Sequence, residues 1–555
     1  MTGTFCRRDA VESLRTQHFD VLVIGGGITG MGVVLDAASR GLRAALIERD
    51  DFSSGTSSKS SKMIHGGLRY LQQGDVRLVY EALAERQRLL DNAPHLVKPL
   101  PFVIPMFGKG GVIPAKIARL LGSAMWAYDL TGGFRLGRLH KRLTKAEVLD
   151  AFPTVREQNL VSGYLYFDAA ADDARLVTAL ARTAALHYGA TIANYVTATG
   201  VMTGSAGHVC GVLAQADGEP ISIAAKAVVN ACGVWADDVR ALDEPTHPDS
   251  IRPAKGVHIV VPHRLVQNTA AVVIPVPKDR RSVFVVPHGD LCYIGTTDTD
   301  YDGPLDNPQC SAEDIAYLLR AINASCTTTI SATDIVGTWA GLRPLVKSAH
   351  TSRTADLSRG HQLTTSPSGL ITITGGKLTT YRHMAQDTVD VVARAIGRRD
   401  ATRSQTATIR LRGADGFDGA AELARQRGLS HPTAEHLADR YGGEVTEILA
   451  LIAQDSSLAE PLVPGLKYVR AEAIFAARYE MAHSVDDVLS RRTRARLFAC
   501  DASIAAAHNV AELIAPELDW TPDQARHSAE SFIEIARADL AATHTPVPAS
   551  PASAG

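Results

Sequence analysis

The sequence predicts an α/β fold. A Rossmann-like nucleotide-binding domain is interrupted by a mostly antiparallel β substrate domain and followed by an α-helical C-terminal domain. Three observations predict this. FDVLVIGGGITGMG, Phe19 to Gly32, reads as an apolar strand, a glycine turn and the start of a helix. IRPAKGVHIVVP, AAVVIPVP and SVFVVPHGDLCYIGTTD crowd short β-branched strands and turn residues into 251–298. After about residue 400 the chain becomes rich in Ala, Leu, Arg and Glu, which reads as helix.

Taken in order, residues 1–18 form an N-terminal extension without the apolar core of a signal peptide. Helical periodicity runs from about Thr29 to Arg40, and LRAALIE is a second strand ending on Glu48. Val21 to Ala38 is apolar enough to resemble a membrane span, but its glycines and Asp36 argue against one. RLVYEALAERQRLL, within 75–98, is strongly helical. Sheet signals return at GLITITGG (369–376), with a helix from about Leu378. The expected division is a discontinuous nucleotide-binding domain over 19–400 (about 19–100, 145–245 and 330–400), with a cap mainly over 246–330. A helical domain over 401–540 and a Pro/Ala/Ser-rich disordered tail over 541–555 complete it.

Composition narrows the function. The chain is 45% hydrophobic and 21% charged with a net charge of -2, so nothing global points to nucleic acid. The seven cysteines are scattered without a C-x-x-C pair, which fits a reducing compartment and predicts no metal site.

Gly25, Gly27 and Gly30 supply G-x-G-x-x-G. The pattern alone is weak, but here it follows a strand, opens a helix and has Glu48 at the end of the next strand. The glycines let backbone approach a pyrophosphate at a helix N-terminus, and Glu48 is placed to accept from a ribose. The segment after Glu48 favours FAD over NAD. RDDFSSGTSSKSSKMIHGG leaves as a long hydroxyl-rich loop, where a plain NAD domain enters its next helix. Thr56, Ser57, Ser60, Ser61, Lys62, His65, Gly66 and Gly67 are the contacts it offers to an extended FAD. VVNACGVWADDV adds Gly233 and Trp235. GGKLTT adds Gly375, Gly376, Lys377, Leu378 and Thr379, a second glycine turn whose helix start faces the flavin ring and stabilises negative charge there.

GGGITGMG, TSSKSSKMIHGGLRYL, EALAERQRLLDNAPHL, DDARLV, KGVHIVVP, IGTTDTDYDG, GLRPL, GGKLTTYR and SVDDVLSRRTR together resemble the FAD-dependent, respiratory glycerol-3-phosphate dehydrogenases. These stretches spread over most of residues 19–500. HGGLRYL and GGKLTTYR are specific to that group and its oxidase cousins. The resemblance implies oxidation of sn-glycerol 3-phosphate to dihydroxyacetone phosphate, with electrons passed to membrane quinone. It implies a cytoplasmic protein held peripherally on the inner face of the cell membrane. A homodimer stays open. The resemblance places Arg69, Arg343 and Lys377 on the substrate, where Arg suits phosphate through its bidentate fork. Arg359 is a further choice, with Arg353 as rival, and Tyr70 shapes the pocket. For the base, His65 beside its two glycines is preferred over His258, which lies on a strand where a histidine is more often structural.

Residues 109–145 hold Lys109, Lys116, Arg119, Arg135, Arg138, Lys141, Arg142 and Lys145 against one acid, Asp129. With Trp126 and Tyr128 between them, they fit an anionic lipid surface, or a solvated basic face over a buried stripe. Arg491, Arg492, Arg494 and Arg496 are expected to be structural or to dock on the flavin domain. An oxidase that passes electrons to oxygen and releases peroxide is the nearest alternative. An amine or amino-acid oxidase would not need several phosphate-binding cations. A non-catalytic FAD scaffold would need a strongly basic nucleic-acid face.

Overall fold

The computed structural model describes residues 5–66, 76–108, 139–279, 281–347, 360–401 and 403–544. The first sheet has the strand order His361–Thr365, Ile371–Gly375, Glu219–Asn230, His18–Ile24, Ala44–Ile47, Thr191–Ala193. All neighbours from Ile371–Gly375 to Thr191–Ala193 are parallel. Strands buried on both faces need continuous apolar side chains, and Val21 to Val23 and Ala45 to Ile47 are fully buried. Helices Ile28–Ser39, Asp173–Tyr188 and Tyr381–Ala395 cover this sheet, sharing one apolar core with it.

The second sheet runs Thr299–Asp300, Ile251–Pro262, Leu291–Gly295, Ser282–His288, Ala271–Pro275, Val97–Phe107, Leu160–Ala171, Met63–Ile64. Gly337–Val346 joins it on Ile251–Pro262. Its pairs are antiparallel except Ala271–Pro275 with Val97–Phe107. It is larger than the span 246–330 expected from sequence, since Met63–Ile64, Val97–Phe107, Lys141–Thr144, Leu160–Ala171 and Gly337–Val346 all belong to it. Val97–Phe107 carries Pro99, Pro101 and Pro105, which read against a strand. It tolerates them because its second edge is paired only at Phe102 and Val103.

Helices fill the chain from Phe417 to His544, around two further apolar cores. The helix Pro522–His544 continues through 541–544, where a tail was expected; 545–555 lie outside the described residues. The N-terminal extension holds the helix Arg7–Thr16, which buries Ala10, Val11 and Leu14 against the first sheet.

A network of buried ion pairs docks the helical unit. Arg491 and Arg492 reach Asp51 at 2.6 and 2.7 Å, and Arg175 reaches Glu480 at 2.6 Å. Burial would raise the Asp51 carboxyl, but Arg492 and Arg491 hold it below the usual range. Such pairs add modest net stability but specify one docking geometry, because a misplaced partner strands a buried charge. The arginines of SVDDVLSRRTR thus dock on the flavin domain.

Candidate active site

Two joined cavities lie at the C-terminal ends of the parallel strands. The first, about 340 Å³, is lined at Gly25, Gly27, Glu48, Gly233, Trp235 and Gly375. Four of the strands therefore deliver their following residues to one cleft, as a dinucleotide site on an α/β sheet requires.

The glycine cradle is built for close approach. Gly25 has φ +111°, and a Cβ there would meet the Ala231 carbonyl oxygen at 2.7 Å. A Cβ on Gly30 would lie 1.9 Å from the Gly25 oxygen. Ser57 Oγ accepts the first N–H of the helix, from Ile28, at 2.9 Å, so the loop hydroxyl caps that group. Glu48 accepts N–H bonds from Gly26 at 2.6 Å and Asp50 at 2.9 Å. Burial nevertheless pushes its carboxyl up to about 7. Trp235 closes the cleft opposite Gly55, held by Asp306 at 3.0 Å. These residues fit FAD. Gly30→Ala is expected to lose the dinucleotide on purification; a full complement of bound FAD would refute this cradle.

The second cavity, about 210 Å³, continues from the first. Thr56, Pro344 and Gly375 to Leu378 line both. Around it stand Ser60, Ser61, His65, His258, Thr296, Arg343, Lys377 and Thr379. The Thr56 hydroxyl donates to the Leu342 carbonyl at 2.6 Å, tying the cofactor loop to the strand that carries Arg343. The Arg343 guanidinium donates to Asp298 at 3.1 Å, Thr296 Oγ1 at 3.2 Å and the Thr297 carbonyl at 3.3 Å. Gly256 makes room for it, since a Cβ there would lie 2.6 Å from Arg343 Nη2. Gly375 and Gly376 take φ of 73° and 82°, and the chain turns at Lys377 into Leu378–Thr380 and the helix Tyr381–Ala395.

The two histidines share this cavity but differ. His65 is half-buried, and its backbone N–H donates to Thr379 Oγ1 at 3.2 Å. His258 is buried and stacks on Trp339 at 4.6 Å, with Nε2 2.9 Å from Ser61 Oγ. Its Nδ1 is sealed from solvent and has no hydrogen-bond partner among the described residues. Burial, then Lys62 and Arg343, push its imidazole well below the usual value, so the ring is neutral.

Three expectations change on placement. Ser60, Ser61, His65 and Thr379, all expected on the cofactor, line the second cavity and are absent from the lining of the first. Lys62 lines neither; its ammonium turns back to Asp173 at 3.3 Å and the Ser58 carbonyl at 3.2 Å. The cause is a positive φ of 54° at Lys62, which reverses the side chain. Gly66 is buried and donates to Asp168 rather than facing the cleft. Gly67, Arg69, Tyr70, Arg353 and Arg359, and all of the basic stretch before residue 139, lie outside the described residues. Sequence reasoning missed Gly256, Thr296 and Asp298 as the frame of Arg343. KGVHIVV and IGTTDTD contain them, but nothing local says that these strands converge on GLRPL.

Known proteins share this architecture. The family model of FAD dependent oxidoreductases matches residues 20–382, and that of the C-terminal domain of alpha-glycerophosphate oxidase matches 404–525. Glycerol-3-phosphate dehydrogenase 2 of Mycobacterium tuberculosis is 39% identical over 525 residues, covering 94% of this chain and 88% of that protein. The mitochondrial glycerol-3-phosphate dehydrogenase of Homo sapiens is 36% identical over 528 residues, covering 91% of this chain and 71% of its own. The crystal structure of the glycerol-3-phosphate dehydrogenase from Bacillus halodurans complexed with FAD superimposes with a TM-score of 0.81 at 30% identity, covering 98% of this chain and 100% of that one. With the glycine cradle, the continuous pair of cavities and the helical C-terminal unit all in place, the chain belongs to the FAD-dependent glycerol-3-phosphate dehydrogenase family.

Proposed function

We propose that this chain oxidises sn-glycerol 3-phosphate to dihydroxyacetone phosphate and passes the electrons to a membrane quinone. The observation that carries the reading is the second cavity. It places Arg343 and Lys377 beside two histidines, at the end of a cleft built for a dinucleotide. A phosphate dianion needs cations in a partly desolvated site, and the fork of Arg343 and the point charge of Lys377 supply them. When bound, FAD supplies a hydride acceptor for the carbinol carbon.

The alcohol proton goes to an imidazole nitrogen of His65. His258 is the weaker choice, because Nε2 is engaged by Ser61 and Nδ1 is sealed. His258 instead forms a neutral, flat part of the cavity wall, with Trp339 stacked on it. The N–H groups that follow Gly375 and Gly376 begin a helical run, whose positive end favours negative charge on the cofactor. No described helix is long and apolar enough to cross a membrane. The attachment we propose is peripheral, on the inner face of the cell membrane.

Anaerobic addition of glycerol 3-phosphate to the fully flavinylated protein is expected to bleach the flavin band. No bleaching would overturn the substrate assignment. The reduced protein is then expected to turn over faster with a soluble quinone analogue than with oxygen. Rapid turnover with oxygen and stoichiometric peroxide would instead make it an oxidase.

A further inference from the structure

The turn Ser60–Lys62 is held on every side, and its anchor lies outside the cavity. Asp173 is fully buried at the start of the helix Asp173–Tyr188. Its Oδ2 accepts from the Ser60 hydroxyl at 2.6 Å and the Ser60 N–H at 3.2 Å. The Lys62 ammonium lies 3.3 Å from both oxygens. Arg494, from the C-terminal helical unit, pairs with the same carboxylate and donates to the Ser58 carbonyl at 2.9 Å. Arg494 is 2% exposed and takes a left-handed backbone with φ 71°, so the chain bends there to deliver its guanidinium. Asp173 therefore gathers cations from two distant segments, and losing either partner would strand a buried charge.

The other face of the turn meets the cavity wall. Ser61 Oγ is 2.9 Å from His258 Nε2, and the Tyr293 hydroxyl donates to the Ser61 carbonyl at 3.1 Å. The Trp339 indole donates to the Ser60 carbonyl at 3.2 Å while stacking on His258. A hydroxyl can meet either state of a ring nitrogen, so the Ser61 contact fixes where the ring lies.

We propose that Asp173 and Arg494 are positioning residues: they set the Ser60–Ser61 turn so that the Ser61 hydroxyl holds the plane of His258 on the cavity wall. The C-terminal helical unit is then part of the active-site apparatus, acting through one side chain. The kinetic consequence rests on the reading of this cavity as the substrate site.

The test uses full-length holoenzyme, histidine-selective ¹⁵N NMR and steady-state kinetics. His258→Asn assigns the His258 ring signals by their loss. Arg494→Ala is expected to lower kcat roughly 10- to 100-fold, the usual scale for losing a residue that orients a site residue, with KM nearly unchanged. Its His258 ring signals are expected to shift from their wild-type positions as the Ser61 contact is lost. Arg494→Lys is expected to restore most of both. Ser60→Ala removes one bond to Asp173 without stranding a charge, and is expected to shift the ring signals in the same direction if Arg494→Ala does not fold. Native kcat and unchanged His258 signals in folded Arg494→Ala or Ser60→Ala would overturn the proposal, even if those variants were less stable. Shifted ring signals in a protein whose wild type ignores glycerol 3-phosphate would keep the positioning and sink the substrate assignment.

Discussion

Arg343→Ala is expected to lower kcat/KM for glycerol 3-phosphate by roughly 100-fold. A charge-assisted hydrogen bond contributes about 1.5–3 kcal/mol, and ~1.4 kcal/mol is tenfold. The upper end applies because of what the guanidinium leaves behind. Asp298, 11% exposed, loses the cation that pairs with it and stands as a negative charge beside the proposed phosphate subsite. Thr296 also loses its contact to the Arg343 Nη2 group. Arg343→Lys keeps the charge but not the fork, and is expected to recover only part of the loss. Steady-state kinetics across both variants checks this; a kcat/KM near wild type in Arg343→Ala would remove Arg343 from the substrate site.

His65→Ala is expected to lower kcat by roughly 10²- to 10⁴-fold, the range for a general base. His258→Asn is expected to cost less, since it removes a wall and an orienting contact rather than the proton acceptor. Added imidazole is expected to restore part of the rate in His65→Ala and none in His258→Asn. Near-normal turnover in His65→Ala, or rescue confined to the His258 variant, would move the base to His258. The distinction is physical. His258 is kept neutral by burial and by two nearby cations, but Ser61 holds one nitrogen and packing covers the other. His65 sits half-buried on the cavity, with its backbone fixed to Thr379 in the loop that carries Lys377.

Much of the dinucleotide cleft was legible because its signals are local. The expected helix from about Thr29 to Arg40 is Ile28–Ser39, and the strand expected to end on Glu48 is Ala44–Ile47. Gly25 takes its positive φ within the turn that the motif marks. Glu48 lies one residue beyond its strand and reaches Gly26, twenty-two residues earlier in the chain, because the two strands are parallel neighbours. The hydroxyl-rich loop was harder to read. Its serines read alike, yet Ser57 lines the first cavity and caps the helix Ile28–Ser39, while Ser60 and Ser61 line the second. The positive φ at Lys62 has no signature in a lysine, and it sends the ammonium to Asp173, 111 residues away.

By itself, the sequence determined that the chain is an α/β protein with a glycine-cradled dinucleotide site, a second sheet rich in β-branched residues and a helical C-terminal unit. Those features follow from periodicity, turn chemistry and short spacings, which act within a few tens of residues. Only the tertiary structure decided which strands join the second sheet, and that Gly256, Thr296 and Asp298 frame Arg343. It alone decided that Arg494 reaches the loop under His258. Strand register and the pairing of buried charges depend on the whole packed core. A lysine, a serine or an arginine carries no local mark of which distant partner will neutralise it.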